Sequence, residues 1–133
     1  KARLKDKDLF ARLTQFYIET YEIIPQVSEH LQNGEIEKIG ELIDLSHRNA
    51  DKLLGNQIAE TNFLQTNARE IGAIAASAFG AGFGGAVWAI CDAADSAAVL
   101  RRWREQYMQA FPLRASRAEW LQLQPAAGLR WLD

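Results

Sequence analysis

Leu9, Leu13, Phe16, Tyr17, Thr20, Tyr21, Ile24, Val27 and Leu31 recur at intervals of three and four, which places them on one face of an α-helix. Pro25 falls inside this run. It lacks an amide hydrogen and its ring clashes with the carbonyl four residues back, so the helix should be kinked or split there. Asn33-Gly34 supplies the stop. A second stripe, Ile36, Ile39, Ile43, His47, Ala50 and Leu54, predicts a helix ended by Gly55, with Glu35, Glu37 and Glu41 near the positive end of its dipole. A third helix is expected from about Glu60 to Ile71, carrying Phe63, Leu64, Asn67, Ala68 and Ile71.

After Ile71 the texture changes. Ala73–Phe79 and Ala86–Ile90 are short apolar runs of strand length, the second containing Val87, Trp88 and Ile90. "CDAADSAAVLRRWREQYMQAF" predicts a fourth helix, capped by Asp92 or Asp95, with Ala97, Leu100, Trp103 and Tyr107 facing inward. The tail "EWLQLQPAAGLRW" alternates at Trp120, Gln122 and Gln124 against Leu121 and Leu123, which predicts one more strand. Helices first, then short strands mixed with helices, predict an α+β two-layer sandwich with helices packed on a small antiparallel sheet. No repeat or low-complexity linker divides the 133 residues.

Composition narrows the classes. An apolar content of 48% suits one globular domain, and a net charge of −2 gives no reason to expect nucleic acid or an anionic membrane as partner. The lone Cys91 cannot form an internal disulfide, so a reducing, cytoplasmic setting is expected. No apolar run approaches the roughly 18 residues of a spanning helix, and "KARLKDKDLF" is not followed by a signal-type apolar core. The chain starts at Lys1 and enters a helical pattern at once, so a piece of a longer polypeptide is expected.

The chemistry concentrates in "GAGFGG", Gly80 to Gly85. Gly80, Gly82 and Gly85 satisfy G-x-G-x-x-G, but a dinucleotide site also needs a helix to open directly after the glycines. "AVWAICD" reads instead as a strand, and helices fill the preceding 70 positions. Two readings remain. Glycine supplies positive φ for a hairpin turn; four glycines in six residues also suit a loop that another backbone or a ligand approaches closely, or whose amides meet an anion.

"GAGFGG" between two apolar strands, preceded by a helix, resembles the C-terminal motif of the GHMP small-molecule kinases, most like its galactokinase version. "NGEIEKIGELIDLSHRNADKLL" (Asn33 to Leu54) is similar to the galactokinase segment that ends in Ser-His, "ARLTQFYIET" to the helix before it, and "QPAAGLRWL" to the family's ending. Two stretches depart. "GNQIAETNFL" lacks the family's Cys-Pro-Glu-Leu-Asp run, and Ser77, Ala78 and Phe79 stand where Arg-Met-Thr is usual, removing a fixed positive charge. The resemblance implies a ferredoxin-like C-terminal domain over residues 1–133, from an enzyme that uses ATP and Mg²⁺ to phosphorylate a sugar hydroxyl, commonly C1 of galactose. The family's Gly- and Ser-rich phosphate loop and its acidic residue belong to an N-terminal half that nothing here matches. The domain would therefore be inactive alone and carry no catalytic or metal-binding residue. Gly80, Ala81, Gly82, Phe83, Gly84 and Gly85 would close the cleft against that half, with Ser77 and His47 on the cleft side. The isolated domain would expose an apolar docking face and self-associate.

Other features carry less. His47 lies on the inward stripe beside Ser46 and only His30 could join it, which suits a core histidine rather than a metal ligand. Arg101, Arg102 and Arg104 suit a solvated helix face, and Cys91 a buried, inert thiol. No Walker loop, Ser-His-Asp set or Cys-x-x-Cys is present. The competing class is a stand-alone α+β module that binds a small metabolite or dimerises, with the glycines as a tight turn.

Overall fold

A computed structural model describes residues 6–126. Helices α1 (Asp6–Ile18) and α2 (Ile24–Gln32) run on from one another through a π-helical turn at Glu19–Ile23. There the Ile24 amide reaches back to Glu19 O, one residue further than an α-helix allows. Pro25 stands in the first turn of α2, directly after the π turn. The proline is thus accommodated by a bulge just ahead of it. Gly34, at φ +72°, reverses the chain. After a 3₁₀ turn at Ile36–Lys38, α3 (Ile39–Asn49) returns alongside α2 and continues into a second π turn at Ala50–Leu54, closed by left-handed Gly55.

This hairpin is held by Ile23, 1% exposed, and by the Ser46 hydroxyl donating to the Glu19 carboxylate at 2.9 Å. The periodic stripe of α1 and α2 does not face this contact. Leu9, Leu13, Phe16, Tyr17, Tyr21, Ile24 and Leu31 are all exposed, while Thr20 and Val27 are half-buried.

Helix α4 (Ala59–Glu70) starts where Thr61 Oγ1 accepts the Ile58 amide at 3.1 Å. Strands β1 (Ala75–Ala78) and β2 (Val87–Ile90) pair antiparallel, Ala75 opposite Ile90 and Ala78 opposite Val87. Ala75 and Ala76 are both fully buried. Successive strand residues point to opposite faces, so β1 is covered on both sides, and α3 and α4 are its two helical neighbours. Alanine permits this closeness. A Cβ on Gly40, in the first turn of α3, would overlap Ile74 O and come 2.7 Å from the Arg69 guanidinium.

The main core joins Ala68, Ala73, Ala76 and Trp103, with Leu64, Ile71, Val87, Ala89 and Trp120 packed against it. Trp103 belongs to α5 (Ser96–Ala110) and donates its indole N–H to Leu64 O at 2.9 Å. Asp95 is the residue before the first turn of α5 but makes no side-chain cap bond. The buried face of this helix is Val99, Trp103 and Tyr107; Ala97 is exposed, contrary to the sequence expectation, because the larger Val99 takes the inward position. After the short α6 (Pro112–Ala115), residues 116–126 form no strand. Trp120 instead tucks edge-on against Trp103 and Tyr107. The strand expected from Glu119 onward is absent over its described part, and the remainder lies outside the described residues. No described helix is long and apolar enough to cross a membrane.

Candidate functional site: the glycine loop and its supports

Gly80 to Gly85 join β1 to β2, so the loop is the tip of the hairpin and no helix opens from it. Its glycines have a backbone reason. Gly80, Gly82, Gly84 and Gly85 all take positive φ, between 81° and 113°, and Phe83 does so too at 62°. Gly82 has a second reason. A Cβ there would collide with the carbonyl oxygen of Asn56 and lie 2.7 Å from its side-chain Cγ and Nδ2. The closely approaching backbone is therefore the protein's own link between the second π turn and α4.

Asn56 holds the loop at two points. Its carbonyl accepts the Phe83 amide at 2.5 Å, and its side-chain Nδ2 donates to Ala81 O at 3.1 Å. Gln57 in turn donates to Asn56 Oδ1 at 2.9 Å. The amides of Gly80, Ala81, Gly84 and Gly85 donate to no described residue. Phe83 projects outward, 72% exposed. Phe83, Gly84 and Gly85 form part of the wall of a groove of about 1470 Å³, with Val87, Trp88 and Trp120 among its apolar lining.

Ser77 and His47, separated by 30 positions, meet beneath the hairpin, Ser77 Oγ standing 3.5 Å from His47 Nδ1. His47 is 4% exposed and so lies under β1 rather than in the groove. Its Nδ1 accepts the Ala78 amide at 3.3 Å, and its Nε2 faces Asn62 Oδ1 at 3.0 Å. Asn62 donates from Nδ2 to Asp51 Oδ1 at 3.0 Å. The Asp51 carboxyl is held below the ordinary aspartate value, first by its hydrogen bond from Lys52 and then by that from Asn62. Close by, Arg69 pairs with Asp44 at 3.1 Å and donates to Ala73 O at 2.6 Å and to Ile74 O.

The remaining candidates stand apart. His30 bonds Glu35 at 2.8 Å, and Arg101, Arg102 and Arg104 are exposed. Cys91 is half-buried rather than buried. Burial, then the charges of Asp95 and Asp92, push its thiol above the ordinary range. Among the described residues no three His, Cys, Asp or Glu side chains converge on one point. Sequence reasoning missed Asn56, Asn62 and Arg69, polar residues whose partners lie on other elements or just ahead of β1. Only the glycine excess hinted that some backbone must come near.

The family model described as "GHMP kinases C terminal" matches residues 27–109. A protein named galactokinase from Thermococcus kodakarensis is 32% identical over 82 residues, which are 62% of this chain and 23% of that protein. A galactokinase from Pyrococcus furiosus is 29% identical over 90 residues, 68% of this chain and 26% of that protein. The chain spans about a quarter of the length of these curated relatives.

Proposed function

The chain belongs to the GHMP kinase C-terminal family, and from that premise we propose that it is the C-terminal domain of an ATP-dependent sugar kinase of the galactokinase type. The observation that carries this is the loop: a hairpin tip pinned to Asn56 from behind, with Gly84 and Gly85, whose amides donate to no described residue, on the wall of a groove. Backbone amides gathered in one turn offer partial positive charge to an anion. Phosphoryl transfer asks mainly for positioning and for compensation of spreading negative charge. The loop supplies position and dipoles only, since Ser77, Ala78 and Phe79 carry no cation.

The described residues do not fit a metal site, so Mg²⁺ enters this reading only as the companion of ATP held elsewhere in the enzyme. The exposed stripe of α1 and α2 is the face on which an N-terminal half would rest. Galactose as substrate is carried by the names of the two relatives. The reading includes a cytoplasmic setting, which the single thiol supports.

The test compares residues 1–133 with the full-length enzyme in ATP, Mg²⁺ and galactose. Sugar phosphate should appear only with the latter. Turnover by residues 1–133 alone overturns the division of labour, and a full-length protein that phosphorylates none of a panel of sugars overturns the assignment. The same exposed stripe also favours a second reading, a non-catalytic dimerising module, which that panel would then leave standing.

A further inference from the structure

We propose that His47 is the positioning residue of the glycine loop: it holds the strand that feeds the loop by accepting the Ala78 amide on Nδ1. The kinetic consequence rests on the reading above, in which the loop faces the nucleotide; the structural claim does not.

The hydrogen-bond chain assigns the ring. A carboxylate only accepts, so the Asp51 contact commits Asn62 Nδ2 as donor and turns Asn62 Oδ1 toward the histidine. His47 Nε2 must then carry a proton. In the neutral ring that leaves Nδ1 bare, and Nδ1 is the atom that meets the Ala78 amide at 3.3 Å. The Asp51–Asn62–His47–Ala78 chain thus runs from the second π turn through α4 and α3 to the end of β1.

The bond falls where β1 needs it. Antiparallel pairing alternates inward and outward amides. Phe79 donates to Ala86 O at 2.8 Å, which turns the Ala78 amide to the outer side, away from β2. Without His47 that half-buried donor has no partner among the described residues, and Phe79 is left as the last tie before Gly80. A histidine serving only to fill space would need neither the assigned proton nor the strand amide.

Two substitutions separate the two nitrogens. In His47→Asn the δ oxygen occupies the place of Nδ1, so the Ala78 amide keeps its acceptor while the hydrogen bond to Asn62 is broken. In His47→Gln the ε nitrogen occupies the place of Nε2, so Asn62 keeps its donor while the Ala78 amide is left without an acceptor. Hydrogen exchange by mass spectrometry on the full-length protein would follow the peptide from Ser77 to Ala86, with a peptide inside α5 as control. His47→Gln should speed exchange of the first peptide about three- to tenfold, the value of one net hydrogen bond, and His47→Asn should stay near the parent. Equal behaviour of the two variants, both fast or both slow, overturns the proposal. If His47→Gln does not fold, His47→Asn against the parent decides: slow exchange like the parent's supports it, fast exchange refutes it. The ATP KM of the same variants addresses the other reading. Faster exchange with KM and kcat unchanged would uphold the positioning role and remove the nucleotide from the loop.

Discussion

Replacing Gly82 by alanine probes the clamp behind the loop. The added Cβ would run into Asn56 O and approach Asn56 Cγ and Nδ2 to 2.7 Å. The carbonyl is not free to swing aside, because it accepts the Phe83 amide while the Asn56 amide reaches back toward Ala50 O. At φ +85° an L-residue also incurs about 1–2 kcal/mol in the left-handed region. The clash can be relieved by lifting the loop off Asn56, which forfeits the bonds from Phe83 N and Asn56 Nδ2 at about 1 kcal/mol each. The cost is thereby capped at about 3–4 kcal/mol. Gly80→Ala is the control. Its φ is +81° but nothing lies within 4 Å of its Cβ, so only the conformational part, about 1–2 kcal/mol, applies. Urea unfolding with unchanged slope measures both. Gly82→Ala should fall below Gly80→Ala by about 2 kcal/mol. Two variants agreeing within about 0.5 kcal/mol, the usual scatter of harmless surface changes, would refute the clamp.

Arg69→Met should destabilise by about 2–3 kcal/mol in the same assay, since the buried Ala73 carbonyl and the Ile74 carbonyl lose their donor; no change would mean that other donors replace it. The depressed Asp51 carboxyl contributes stability that is present above its unfolded value and lost as pH falls through the folded one. Acid titration from about pH 5 downward should therefore weaken the fold, and Asp51→Asn should flatten that decline. With its thiol raised by burial and by Asp95 and Asp92, Cys91 should alkylate with iodoacetamide at neutral pH more slowly than a free cysteine, and Asp95→Asn should quicken it; a faster parent contradicts the assigned cause. Leu13→Ser with Phe16→Ser should leave the unfolding free energy within about 0.5 kcal/mol per site, because both side chains are exposed. Light scattering should at the same time report less self-association, and a large stability loss would mean the stripe is packed.

The helices were legible because three-four spacing is a local property, and the boundaries at Gly34 and Gly55 follow from glycine's access to positive φ. What each stripe packs against is not local. The α1–α2 stripe has the periodicity of a buried face, yet the fully buried residue of this stretch is Ile23, outside the stripe. The tail misled for a related reason. Alternation at Trp120 to Gln124 satisfies the strand pattern, but a strand also requires a partner edge, and Trp120 finds the aromatic faces of α5 instead. The glycine loop announced itself by composition; its closest neighbour, Asn56, lies 26 positions before Gly82 and bears no motif. His47 was visible as an inward histidine, but the assignment of its two nitrogens depends on Asn62 and Ala78, which only the folded chain brings together.

A side chain stands at each end of the outer rim of β1, the Arg69 guanidinium on the Ala73 and Ile74 carbonyls just ahead of it and the His47 ring on the Ala78 amide at its close. A visiting strand therefore meets a side chain at either end of that side, and among the described residues the border without such obstruction is that of β2. Ribbons that polymerise need two open borders. With one obstructed at both ends, pairing between copies through this hairpin should favour a closed pair over a fibre.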